Sequence, residues 1–136
     1  MHAGCRALTV SRRIGGVLPR VVDISSGEHY QWGAASEGWH LLNHADLSVI
    51  QERVPAGDRE CRHFHSAARQ FFYILQGQAV LEVEGARFEL AAGQGLEVPP
   101  RAKHQFMNES TSPVTFLVVS SPRAHGDRTD VLSEQR

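Results

Sequence analysis

His63 and His65 stand one residue apart in the stretch RHFHSAARQ, and Gln70 follows five positions after the second of them. In an extended strand, residues two apart project from the same face, so this spacing aims two imidazoles at one place. Imidazole is the commonest protein ligand for transition metals. An H-x-H pair alone is weak evidence, because histidines at that spacing also occur in surfaces and cores. A third candidate is His104, which opens another strand after the proline-rich turn in GQGLEVPPRAKHQFMN. Three histidines meeting across a small barrel would make a metal site with open coordination positions.

Other chemistries find no support. There is no G-x-S-x-G nucleophile elbow, no phosphate-binding G-x-x-x-x-G-K and no Cys-x-x-Cys pair. Ser66 beside His65 is no triad, since adjacent strand residues face opposite ways. The net charge of −1 gives no pull toward nucleic acid or an anionic membrane, and no run approaches the length of a membrane span. Two cysteines, Cys5 and Cys61, are too few for a disulfide framework, and the N-terminus carries no apolar run of signal-peptide length. These features predict a cytoplasmic protein whose partner is a small molecule.

The elements that must position the histidines are strands. At 136 residues the chain has room for one domain with a real core. From residue 47 onward it is a series of short apolar runs broken by Gly, Pro and Asn. DLSVIQERV (46–54) alternates, with Leu47, Val49 and Gln51 on one side. PAGDRE turns through Pro55 and Gly57, ECRHFH is extended, and QFFYILQG ends at Gly77. QAVLEVEGARFEL predicts a hairpin turning at Gly85, while HQFMN and VTFLVVS are the last strands. Residues 1–45 are expected to pack on the barrel or form a dimer interface, with a strand in VVDISSGEHYQWG and EGWHLLNH over one end of the sheet. Residues 46–120 form the barrel, and residues 121–136 a polar, partly mobile tail.

By spacing and residue type the chain resembles the cupin superfamily. The first cupin motif is written G(X)5HXH(X)3–4E(X)6G; here stand Gly57, His63, His65, Gln70 and Gly77 at those intervals. The second is G(X)5PXG(X)2H(X)3N; here stand Gly93, Pro99, Arg101, His104 and Asn108. The two departures are Gln70 for glutamate and Arg101 for glycine. The resemblance implies an all-β, double-stranded β-helix or jelly-roll barrel in a single domain. It also implies that His63, His65 and His104 hold a divalent transition metal (Fe, Mn, Ni or Zn) inside the barrel. A single pair of motifs is similar to a monocupin, and such proteins often form homodimers through N-terminal strands.

At position 70 the family pattern has a glutamate that helps ligate the metal. Gln70 keeps a carbonyl oxygen of similar reach and loses the charge. Between unit charges about 4 Å apart, at an effective dielectric near 20, that charge is worth at most roughly 4 kcal/mol. Two roles stay open for Gln70: a weak fourth ligand, or a hydrogen-bond partner of a ligating imidazole or a water. Either way the site is expected to be more Lewis-acidic and more welcoming to an anionic ligand.

Parity and motif position suggest roles for several further residues. Cys61 shares the face of His63 and is expected to be a small buried packing residue rather than a redox thiol or extra ligand. Arg59 is expected as a solvated turn residue, with pairing to an acidic substrate as the alternative. Phe72, Ile74 and Phe106 should line an apolar cavity. Arg101 implies either a turn without positive φ or an altered geometry, and could also recruit anions from the rim. Trp32, Trp39 and His40 are expected to pack under the barrel or at a dimer interface, and Asn108 to be a strand-end structural residue. The function expected from the resemblance is a metal-dependent small-molecule enzyme of dioxygenase, isomerase or lyase type. A non-catalytic metal- or ligand-binding protein is the alternative.

Overall fold

The alternating strands close face to face because each has one apolar side to hide. A computed structural model describes residues 19–132. Eleven strands follow one another among these residues: β1 (Glu28–Trp32), β2 (Ser36–Asn43), β3 (Ser48–Val54), β4 (His63–His65), β5 (Arg69–Gln76), β6 (Gln78–Val83), β7 (Ala86–Ala91), β8 (Gly95–Val98), β9 (His104–Met107), β10 (Val114–Ser121) and β11 (Arg128–Asp130). They form a six-stranded sheet in the order β1-β2-β3-β10-β5-β8 and a five-stranded sheet in the order β11-β4-β9-β6-β7. Every pairing is antiparallel. This is the expected jelly-roll barrel. Among the described residues no helix is long and apolar enough to cross a membrane.

The core lies between the sheets. Phe72 and Ile74 of β5, Val114, Phe116 and Val118 of β10, Leu81 of β6 and Phe106 of β9 are all buried. Phe106 and Phe116 stack at 4.0 Å between ring centroids and so tie one sheet to the other. Phe72 stacks on both, at 6.1 and 6.3 Å. The three residues expected to line a cavity, Phe72, Ile74 and Phe106, are instead packed in the core. Alternate residues of β5 face outward: Phe71, Tyr73 and Leu75 are exposed.

The β6–β7 hairpin turns at Glu84 and Gly85, both at positive φ (49° and 88°), as a two-residue turn between right-twisted strands requires. In β3 the buried ends are Ser48 and Val54, and Leu47 is exposed, so the inward face is the even-numbered one. EGWHLLNH (37–44), expected over one end of the sheet, instead runs within it for all but its last residue, as most of β2 between β1 and β3. The polar tail holds an ordered strand: β11 pairs with β4, setting Arg128 against His65 and Asp130 against His63.

Candidate metal centre

Two tight turns bring the histidines together. Gly57, at φ +83°, closes the turn ahead of β4, and its N–H donates to the Asn108 carbonyl at 2.8 Å. Asn108 is buried; its side-chain amide donates to the carbonyls of Val54 and Ser112, at 3.0 and 2.8 Å. It is the strand-end fastener expected of it. The second turn runs through Arg101, which keeps the left-handed φ (+72°) that a glycine would adopt without strain. The Arg101 N–H donates to the His65 carbonyl at 2.7 Å, which fixes the turn carrying His104 against the strand carrying His65. His104 then lies directly across from His63 in the β4–β9 pair.

The three imidazoles are buried, with ring centroids 4.9 Å (63–65), 4.3 Å (63–104) and 5.7 Å (65–104) apart. Each Nδ1 meets a backbone carbonyl: His63 that of Cys61 at 2.8 Å, His65 that of Asp127 at 2.9 Å, His104 that of Ala102 at 2.9 Å. A carbonyl oxygen only accepts, so each Nδ1 carries the proton and each Nε2 presents a lone pair. Burial, reinforced by the neighbouring His104, pushes His63 down to about 3. Burial also lowers His104 to about 4, against the opposing hydrogen bond to Ala102, and lowers His65. All three rings are thus neutral at pH 7, the form that binds a metal. One nitrogen from each lies within 4.8 Å of the others, close enough to hold a metal ion together. His104 Nε2 is buried and has no hydrogen-bond partner. A nitrogen lone pair shut away from water without a donor fits a cation site and little else. These residues fit a divalent transition metal.

Gln70 comes from the opposite sheet, on the inner face of β5. Its Nε2 donates to Ser120 Oγ at 3.1 Å, and its Oε1 is buried without a partner. Phe72, two residues on, sets its ring edge-on to His104 at 6.0 Å. One expectation fails here. Cys61 is exposed rather than buried, and it serves the site through its carbonyl alone. Strand parity misplaced it because β4 begins only at His63. Arg59 and Arg101 are exposed. A cleft of about 370 Å³ bordered by Leu90 and Glu109, and one of about 700 Å³ bordered by Glu28 and His44, include none of the three histidines.

Several residues around the centre gave little signal in the sequence. Glu60 lies behind His63, its carboxylate 3.9 Å from Nδ1; it accepts the Phe106 N–H at 3.1 Å and sits 3.7 Å from an Arg128 nitrogen. Burial, then the repulsion of Glu52, pushes it up to about 8. Burial raises Glu52 to about 7, although Tyr30 donates to its carboxylate at 2.5 Å. Tyr30 is itself pushed well above the usual phenol range, by burial first and then by Glu52. Arg128 is a cation common to this neighbourhood and adds to the lowering of all three histidines. An inward parity for Glu52, between Ile50 and Val54, was the one clue available. Nothing in the polar tail marked Asp127 or Arg128.

The family model of the cupin domain matches residues 50–120, which hold all three histidines and both turns. The chain belongs to the cupin family. Among curated relatives, an uncharacterised protein of Methanocaldococcus jannaschii is 27% identical over 85 residues, 62% of this chain and 68% of that one. Quercetin 2,3-dioxygenase of Bacillus subtilis is 32% identical over 101 residues, 70% of this chain and only 29% of that enzyme. The polyketide cyclase RemF from Streptomyces resistomycificus superposes with a TM-score of 0.74 at 19% identity, over 86% of this chain and 89% of that one. That last likeness is one of fold. Within the cupin barrel, the three histidines lie on the paired strands β4 and β9 of the five-stranded sheet, rather than meeting across the barrel from opposite sheets.

Proposed function

We propose that this cupin is a small-molecule enzyme built on a divalent metal held by His63, His65 and His104. The observation that carries the reading is the set of three anchored Nδ1–H groups, which leaves three Nε2 lone pairs turned to one another in a buried site. A bound ion of this class acts as a Lewis acid or, if iron, supports oxygen chemistry. The chain's own residues set the conditions. The histidines stay neutral and need shed no proton to ligate. The Phe72, Phe106 and Phe116 stack gives the barrel an apolar core, and Phe72 brings it against the His104 ring. Gln70 contributes an acceptor oxygen without a charge.

Three neutral imidazoles leave the ion's full 2+ charge uncompensated, whether the Gln70 amide ligates or only hydrogen-bonds, and this favours an anionic, chelating substrate. A dioxygenase stands among the curated relatives, so oxygen-dependent cleavage is one reaction class to test, and Lewis-acid isomerisation or elimination is the other. The deciding experiment is elemental analysis of protein purified without a polyhistidine tag, followed by oxygen uptake across a panel of carboxylate and enolisable diketone substrates. Iron with substrate-dependent oxygen consumption assigns the oxygenase class. Zinc, manganese or nickel with oxygen-independent turnover assigns the isomerase or lyase class. Protein that takes up no metal refutes the proposal.

A further inference from the structure

Asp127 binds the histidine-bearing turn twice. Its carboxylate accepts three consecutive backbone N–H groups, from Ser66 on Oδ1 and from Ala67 and Ala68 on Oδ2, each at 2.9 Å. Its own carbonyl accepts the His65 Nδ1–H, also at 2.9 Å. The first set of bonds pins the turn joining β4 to β5; the second fixes the tautomer and rotation of the metal-facing ring. Residues 127 and 65 are distant in sequence, so nothing local would supply this acceptor. His63 and His104 differ: each bonds the carbonyl two residues before it in the chain, just ahead of its strand. His65 alone depends on a remote segment.

That segment is held in place from both ends. Asp127 N–H closes a turn onto the Ala124 carbonyl at 2.9 Å, with Gly126 at φ +81°. Beyond it β11 pairs with β4, and Val131 N–H donates to the Arg62 carbonyl at 2.9 Å. The strap therefore runs alongside the very strand whose two histidines face the centre.

We propose that Asp127 is a positioning residue of the metal centre, and that the C-terminal strap it anchors sets the orientation and metal affinity of His65. The inference rests on the reading that the three histidines hold a metal. An acceptor behind a ligating imidazole raises its basicity and removes its rotational freedom, and losing such a partner commonly weakens metal binding by about 10–100-fold. Asp127→Ala removes the carboxylate, frees the strap and lets the carbonyl drift from His65.

The test is titration of Zn(II) and Co(II) against a competing chelator, with thermal unfolding of the metal-free protein and the imidazole NMR signals read alongside. Asp127→Ala is expected to weaken metal binding by about 10–100-fold and to broaden or lose the His65 Nδ1–H signal, while those of His63 and His104 persist. Asp127→Asn, which keeps an acceptor oxygen and folds more readily, is expected to fall between alanine and the parent. A lowered melting temperature with unchanged metal affinity and an intact His65 signal would show a purely structural strap and overturn the proposal. If alanine does not fold, parental affinity in the asparagine variant overturns it equally. Parent protein that binds neither ion refutes the metal reading itself, whereas parent and variants binding alike refute only the role of Asp127.

Discussion

His63 and His104 face each other across the β4–β9 pair, their ring centroids 4.3 Å apart, and both are held neutral by burial. Their values of about 3 and 4 lie below the ordinary 6.5, so between those limits the unfolded chain binds more protons and stability falls as pH drops. Glu52 and Glu60 run the other way. At about 7 and 8 against an ordinary 4.5, they hold protons in the folded state that the unfolded chain releases, so stability falls as pH rises through that window. Metal-free protein should therefore be most stable between about pH 4.5 and 6.5, with each group contributing a slope of up to about 1.4 kcal/mol per pH unit outside it. Urea unfolding from pH 3 to 9 checks this, and stability that climbs from pH 6.5 to 8 contradicts it.

Replacing Gln70 by glutamate should restore a negative charge beside the ion. Metal affinity is expected to rise by about tenfold or more, well inside the roughly 4 kcal/mol upper guide for such a pair. The affinity of small carboxylates for the metal-loaded protein should fall in the same variant. Competition titrations with oxalate and acetate measure the second effect. Unchanged carboxylate binding would assign Gln70 to hydrogen bonding alone.

The barrel and its histidines were legible because both are periodic or motif-borne. His63 and His65 obey the two-residue strand period, and the intervals from Gly57 to Gly77 and from Gly93 to Asn108 resemble the cupin motifs closely. What stayed hidden depends on long-range pairing. Asp127 reaches His65 through a hydrogen bond across more than sixty residues of chain, and no local pattern encodes that. Tyr30 and Glu52 meet only because β2 lies between their strands and contributes a glycine there. Cys61 was misplaced for a related reason: face parity holds only while the backbone stays extended, and β4 starts two residues later.

Arg101 occupies a backbone conformation that costs a side chain about 1 kcal/mol or more. Its side chain is exposed, so exchanging it loses little packing. Arg101→Gly should stabilise the fold by about 0.5–1 kcal/mol and raise the melting temperature by ~2–4 °C, partly offset by the greater freedom of glycine in the unfolded chain. Differential scanning calorimetry of the two proteins decides it, and a drop in melting temperature would mean that the arginine makes stabilising contacts.

Gly38 lies between Tyr30 and Glu52 in one cross-strand row, opposite both. With no side chain there, the Tyr30 ring lies over β2 and its hydroxyl reaches the Glu52 carboxylate. A Cβ at position 38 would come within 2.2 Å of Tyr30 Cζ and 2.3 Å of its hydroxyl oxygen. Gly38→Ala must therefore displace the ring and leave a buried carboxyl without its donor, a loss of about 2–4 kcal/mol. Since the cost arises from Tyr30, it should shrink to less than about 1 kcal/mol in a Tyr30→Ala background, where the ring is gone. Urea unfolding of the four proteins in this double-mutant cycle measures the coupling directly, and equal losses in both backgrounds would place the strain on the backbone of β2 instead.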